Sequence, residues 1–436
     1  MSSRILHAWI NGQHVGTLTE PNGIWQFEYS PSWVTSPEAY ALSPHLPLES
    51  SPLLDSGSIR NVQWYFDNLL PEEGQRKLLA SDVEIDHADA FGLLAAYGAE
   101  STGSLILTRN DEVPKSQWEL IELPDGELQK RIERMPQLPL THGAPKRMSL
   151  AGAQHKLAVV LDGEKIYEPI GSTPSTHILK PNHHDGDYPQ SVINEWFVMR
   201  LARELGLSVP NVERRYVPSP VYIIERFDRV NSDAGWQRVH AIDGCQLLGL
   251  DRLFKYSQGS VGRLVELSGA TRSLAASRVE LFKWLTFNVL VGNGDAHLKN
   301  LSFLVSSRGM EVAPAYDLLS TEVYSTKAFD KDGWPRRSEL AWPLLEARRF
   351  VDVDRNTLLR AGELLNIPAA TARRIMDKMI SEILPAASRL ADLFESENIS
   401  RWHGRSDLQL TFLAERRCID AIRHVIIRDM VQKLSG

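Results

Sequence analysis

The chain has 436 residues with 48 Lys and Arg against 55 Asp and Glu, a net charge of −7, and two cysteines, Cys245 and Cys418. That length allows two or three domains and a substantial core, the composition is neither disordered nor fibrous, and the bulk charge gives no case for autonomous nucleic-acid binding. The cysteines lie far apart without Cys/His metal spacing, no stretch reaches about eighteen apolar residues, and the start MSSRILHAWINGQHVG lacks a signal-peptide apolar core, so a cytoplasmic protein with no membrane contact is expected.

In chain order, Arg4 to Ile10, the turn Asn11-Gly12 and Val15 to Leu18 predict an opening hairpin. Val62 to Leu70 and His87 to Tyr97 read as helices, giving a small α+β domain over 1–110. Residues 111–148 carry Pro114, Pro124, Pro136, Pro139 and Pro145, which suits a connector. Ser149 to Lys156 (SLAGAQHK) is a small-residue loop that feeds Leu157 to Leu161, the turn Asp162-Gly163 and Glu164 to Tyr167, a strong hairpin signal. Backbone N–H groups of such a loop approach phosphate oxygens closely, although it lacks the Walker A pattern, and a linker end is an equal reading.

Thr176 to Lys180 (THILK), bounded by prolines, reads as a strand ending in Lys180. The polar loop holding His183 and His184 is expected to be solvent-exposed. A helix follows from Gln190 to Gly206 with Val192, Trp196, Met199 and Ala202 as its apolar stripe. Glu195 flanks that stripe and wants a cation, for which Lys180 is the obvious candidate; a surface Glu is the plain alternative. Val221 to Phe227 (VYIIERF) is an apolar strand interrupted by Glu225, placed where a hinge between two lobes belongs, or a core strand with a charged edge. Strands dominate 149–240 and helices 241–436.

Leu274 to Val291 has helix spacing and delivers the run GNGDAHLKN, Gly292 to Asn300. Leu301 to Val305 and Met310 to Pro314 predict a hairpin that returns Asp317, in AYDL, towards Asp295. In protein kinases a catalytic-loop Asp is followed five positions on by an Asn that binds Mg²⁺, and a later Asp also holds metal. Asp295, Asn300 and Asp317 keep that order, with Asp295 as proton acceptor and the other two supplying hard oxygens to the metal. Asn-Gly-Asp is also a common turn. Val353 to Leu393 and Leu408 to Leu434 read as terminal helices, and the Arg-rich end as a solvated face.

The ordered set SLAGAQ-K, STPSTHILKP, NEWF, LGL-VP, ERFDR, GDAHLKN and APAYDL, with NGQHVGTL, FDNLLPE and YGAESTGSL near the start, resembles the HipA family, the serine/threonine kinase toxins of bacterial type II toxin-antitoxin modules. The resemblance covers nearly the whole chain. It implies an α+β, two-lobed kinase fold closer to phosphoinositide kinases than to typical protein kinases, with a small N-terminal α+β domain and a mostly helical C-terminal lobe, and a requirement for ATP and Mg²⁺. It places Ala151, Gly152, Ala153, Gln154, His155 and Lys156 on the ATP-covering loop, and Lys180 on the ATP phosphates. Glu225, Arg226 and Phe227 fall on the hinge, His297, Lys299 and Asn300 beside the nucleotide, and Asn300 and Asp317 on Mg²⁺. Asp295 is the implied base and Ser149 the implied autophosphorylation site. His155 departs from the family, which usually has Glu there. The implied partners are a protein substrate such as an aminoacyl-tRNA synthetase and a HipB-like helix-turn-helix antitoxin, with DNA met only through that antitoxin. Two other functions remain open at this point, a small-molecule kinase of the antibiotic or sugar type and a non-catalytic interaction module.

Overall fold

The computed structural model describes residues 4–114, 118–148, 150–152, 154–233 and 235–436. The chain packs into two compact units, one of residues 1–181, 223–255 and 302–313, the other of residues 182–222, 256–301 and 314–436.

The first unit opens with the expected hairpin. Strands Arg4–Ile10 and Gln13–Glu20 pair antiparallel around Asn11 and Gly12, both at positive φ as a two-residue hairpin turn requires. Leu53–Leu54, Gln26–Tyr29, Gln13–Glu20, Arg4–Ile10 and Ile106–Thr108 form a five-stranded antiparallel sheet in that spatial order. Its inner face is aromatic: Phe27 packs on Phe66 of the helix Asn61–Asp67, and Trp25 meets Phe91 of the helix Ala90–Tyr97 edge-on. A further helix, Glu73–Asp82, comes between those two in the sequence.

A second sheet in this unit runs in the order Pro220–Glu225, His177–Pro181, Leu157–Asp162, Lys165–Pro169, Leu120–Glu122, with the chain entering the unit at Ile223. The Asp162-Gly163 turn joins its central hairpin, with Asp162 opposite Lys165. The Pro-rich stretch read as a plain connector contains both the edge strand Leu120–Glu122, paired to Lys165–Pro169, and the helix Asp125–Glu133. A third sheet pairs His240–Asp243, Ser302–Ser306 and Gly309–Val312, the last two forming the hairpin expected after the Asp295 loop.

A cluster of buried charge also holds this unit together. Glu100 is 0 % exposed and receives Lys146, Arg229 and Arg238, each at 2.6 to 2.7 Å, and Arg226 at 3.1 Å. Burial opposes the charge of Glu100, but Arg238, Lys146, Arg229 and Arg226 overcome it and hold the carboxyl well below the usual range. Asp228 takes a second share of Arg226 and Arg229 and accepts the Gly103 N–H at 2.6 Å.

The second unit is mainly helical. Ser191–Glu204, Leu274–Leu290, Arg355–Leu364, Ala369–Arg401, Gln409–Ala421 and Arg428–Ser435 are its main helices. The helix Ser191–Glu204 was read with one apolar stripe, yet eleven of its fourteen residues are buried, because helices Ala369–Arg401 and Gln409–Ala421 and the strand Val212–Tyr216 all pack against it. His183, expected in solvent, is half-buried, stacked on His184 and edge-on to Tyr188. Among the described residues no helix is long and apolar enough to cross a membrane.

Candidate active site

In the first unit the small-residue loop runs straight into the sheet. Leu157, directly after Lys156, pairs with Leu179, the neighbour of Lys180, so the loop and the lysine strand are held on adjacent strands. Lys156 turns back and donates from Nζ to the Ala151 carbonyl at 2.6 Å. Gly152 has φ +109, and a Cβ there would come 2.4 Å from Lys156 Nζ, so the turn needs glycine. Gln154 Nε2 donates to the Pro181 carbonyl at 3.4 Å, and His155 and Lys180 are buried. Ser149 and Ala153 lie outside the described residues.

Of the expected hinge residues, Glu225 ends the strand Pro220–Glu225, and Arg226 and Phe227 follow directly on it. The Arg226 N–H donates to the Thr176 carbonyl at 2.9 Å, while its guanidinium is committed to Glu100 and Asp228. The side chain of this residue is therefore spent on the buried charge cluster.

The Asp295 loop belongs to the second unit and is braced from several sides. The buried helix Leu274–Leu290 ends at the loop, and Asn288 from its last turn accepts the Asn293 side-chain N–H at 2.7 Å. Asn293 in turn accepts the Asp295 N–H at 3.0 Å. Thr321 accepts the Gly294 N–H at 2.6 Å, and a Cβ on Gly294 would sit 2.9 Å from both Glu322 Oε1 and the Glu339 carbonyl. Trp342 Nε1 donates to the Ala296 carbonyl at 2.9 Å. The backbone around Asp295 is thus fixed before any ligand arrives, which is what catalysis by positioning needs.

Asp295 and Asn300 are brought together: Asn300 Nδ2 donates to the Asp295 carbonyl at 2.8 Å. That bond orients the amide and leaves its oxygen as the free end of the group. The Tyr256 hydroxyl donates to Asp295 Oδ1, and the Tyr256 ring meets the His297 ring edge-on at 5.0 Å. Lys299 is buried, and its carbonyl accepts the Tyr316 hydroxyl at 2.7 Å. This bond ties the residue before Asp317 to the Asp295 loop. Asp317 takes φ +56, a left-handed conformation that Asp tolerates better than most side chains.

Behind Asp317, Asn194 clamps the chain in both directions: its Nδ2 donates to the Ser320 carbonyl and its Oδ1 accepts the Ser320 N–H, each at 2.8 Å. Asn194 is adjacent to Glu195, which is 3 % exposed, so one turn of the helix Ser191–Glu204 supports the Asp317 segment and carries the expected ion-pair carboxylate. The Tyr222 hydroxyl is pushed well up, first by burial and then by the Glu195 and Asp317 carboxylates, which places both within electrostatic reach of it. Lys180 and Glu195 fall in different compact units.

Tyr256, Asn194, Thr321, Tyr316 and Trp342 were not singled out from the sequence. Asn194 carried a signal, as an amide inside an otherwise apolar helix face, and Tyr316 stood in the AYDL run. Among the described residues no cluster of three or more His, Cys, Asp or Glu could hold a metal ion. One carboxylate and one amide, Asp317 and Asn300, fit Mg²⁺ nonetheless, since Mg²⁺ takes one or two protein oxygens and completes its octahedron with phosphates and water.

The family models match both ends of this arrangement. A HipA N-terminal domain matches residues 6–108 and a HipA-like C-terminal domain matches residues 148–387. A putative kinase of Sinorhizobium fredii, Y4mE, is 33% identical over 379 residues, covering 80% of this chain and 89% of the relative. The serine/threonine-protein kinase toxin HipA of Shewanella oneidensis is 33% identical over 320 residues, 68% of this chain and 70% of that one. A solved complex of Shewanella oneidensis HipA with HipB and operator DNA matches with a TM-score of 0.75 at 25% identity, covering 97% of this chain and 99% of that one. With a domain match across more than half its length and relatives 33% identical over two thirds of it or more, the chain belongs to the HipA family of kinase toxins.

Proposed function

We propose that the protein is an ATP- and Mg²⁺-dependent protein serine/threonine kinase that inhibits growth by phosphorylating a translation component such as an aminoacyl-tRNA synthetase. A HipB-like antitoxin restrains it and supplies its only route to DNA. The observation that carries this reading is the braced loop in which the Asn300 amide is hydrogen-bonded to the Asp295 backbone and Tyr316 ties Asp317 to the same turn. Mg²⁺, when bound, neutralises charge on the ATP phosphates. Asn300 and Asp317 hold it through oxygen. Asp295 accepts the proton of the attacking hydroxyl, oriented by the Tyr256 hydrogen bond. Residues 151–156 cover the phosphates with backbone N–H groups, Lys180 adds a positive charge with Glu195 as its counter-ion, and residues 225–227 receive the base.

The test is incubation with labelled ATP and a bacterial extract beside an Asp295→Ala control. Label on one protein, lost in the control, is the expected result, whereas label on a small molecule overturns it in favour of an antibiotic- or sugar-type kinase. Autophosphorylation at Ser149 belongs to the same proposal. A phosphate there adds about −1.5 to −2 charges next to the phosphate-covering loop, so repulsion lowers ATP affinity and switches the enzyme off. Mass spectrometry after reaction with ATP, with nucleotide binding measured before and after, checks it. Phosphate found only elsewhere, or unchanged affinity in the Ser149-modified form, counts against it.

A further inference from the structure

The segment Phe66 to Glu72, FDNLLPE, is a sequence motif that the proposed chemistry leaves unused. Its end lies against the small-residue loop. Pro71 and Gly152 form an isolated parallel bridge, and the Glu72 N–H donates to the Gly152 carbonyl at 3.2 Å. Pro71 and Leu79 also line a small cleft together with Met148, Leu150 and Lys156, so side chains as well as backbone meet there.

The segment is itself anchored to the stretch 250–255 at three points, while Asp67 also pairs with Arg76. Asn68 Nδ2 donates to the Leu250 carbonyl at 2.9 Å, Asp67 meets Arg252 at 3.4 Å, and Glu72 Oε2 takes Lys255 Nζ at 2.5 Å. Glu72 and Lys255 are both buried, at 3 % and 7 % exposure. Glu73 then turns away at φ +48, so the chain offers Glu72 N–H to the loop from a fixed bend. Buried ion pairs of this kind stabilise little in sum but fix one arrangement over others.

We infer that Pro71 and Glu72, locked by Lys255, are positioning residues that hold the loop 150–156 in its phosphate-covering conformation. The inference rests on the kinase reading for the identity of the ligand, but not for the existence of the clamp. Glu72 supplies a backbone donor to Gly152, and Lys156 closes the loop on Ala151 from the other side, so the turn at Gly152 is tied from both directions.

Amide hydrogen exchange on the full chain without nucleotide tests the clamp directly. The Glu72 amide is expected to exchange at least about tenfold more slowly than in unstructured chain. Lys255→Met should release it, speed exchange across 150–156 by about tenfold, and raise the KM for ATP several-fold with kcat changed less than about twofold. Lys255→Arg should restore both. Free exchange of the Glu72 amide in the wild-type chain overturns the clamp, and so does an unchanged KM once Lys255→Met has released that amide. If Lys255→Met does not fold, the wild-type exchange and the KM of Lys255→Arg still decide. A protected Glu72 amide in a chain that binds no ATP overturns the kinase reading and with it the loop's purpose, an outcome distinct from failure of the clamp.

Discussion

Tyr256 donates its hydroxyl to Asp295 and sets its ring edge-on to His297, so it orients the carboxylate from one side. Tyr256→Phe keeps the ring and removes the hydroxyl, and should lower kcat by about tenfold with the KM for ATP little changed. An unchanged kcat would show that the tyrosine only packs. Asp317 offers a cleaner test of charge, because Asn also tolerates the left-handed backbone found there. Asp317→Asn is expected to keep the fold and lose activity at low Mg²⁺, with part of the rate restored as Mg²⁺ is raised, since a neutral amide is a poorer partner for a hard divalent ion. Normal turnover at low Mg²⁺ would remove Asp317 from the metal site. The Asp295, Asn300 and Asp317 order was legible in the sequence because the interval of five places two groups on one turn. Tyr256, thirty-nine positions before Asp295, was not, because its partner is set by packing and not by spacing.

At the scale of elements, the helix Gln409–Ala421 carries a carboxylate into the core. Glu415 accepts the Tyr216 hydroxyl at 2.7 Å and lies 3.7 Å from Arg214, both on the strand Val212–Tyr216. Burial nevertheless raises its pKa from 4.5 to about 7. The folded carboxyl keeps its proton up to about pH 7 while the unfolded one releases it near 4.5, so this group favours the fold most below pH 4.5 and that advantage is lost as pH rises through 7. The full swing is about 3 kcal/mol. Glu415→Gln, neutral throughout, should raise the urea midpoint at pH 8 and leave it nearly unchanged at pH 4; equal midpoints at both would contradict it. Where the sequence was read well at this scale, local chemistry decided the outcome, as at the Asn11-Gly12 and Asp162-Gly163 turns. Where it was read poorly, tertiary contact decided. Five prolines marked 111–148 as a connector, yet its edge strand exists because Lys165–Pro169 offers it a ladder. The Glu100 cluster joins residues 46 to 138 positions apart, and no periodicity reports that.

For the whole molecule, the family assignment predicts a cellular effect. Induced alone in bacteria, the wild-type chain should arrest growth, Asp295→Ala should be tolerated, and co-expression of the cognate antitoxin should relieve the arrest; growth curves and colony counts read all three. Arrest that persists in Asp295→Ala would separate toxicity from phosphoryl transfer. The buried charge around Glu100 bears on inheritance. Glu100 lies within the N-terminal family match, residues 6–108, while Arg226, Arg229 and Arg238 lie within the C-terminal one, residues 148–387. A recombinant that took its first hundred residues from a relative without an acid at this place would bury three arginines and Lys146 with Asp228 as the one remaining carboxylate of the cluster, a loss on the order of 3–5 kcal/mol. Two regions that look like separable cassettes in the sequence can thus be exchanged only as a pair, and drift at position 100 is bound to drift at four sites far along the chain.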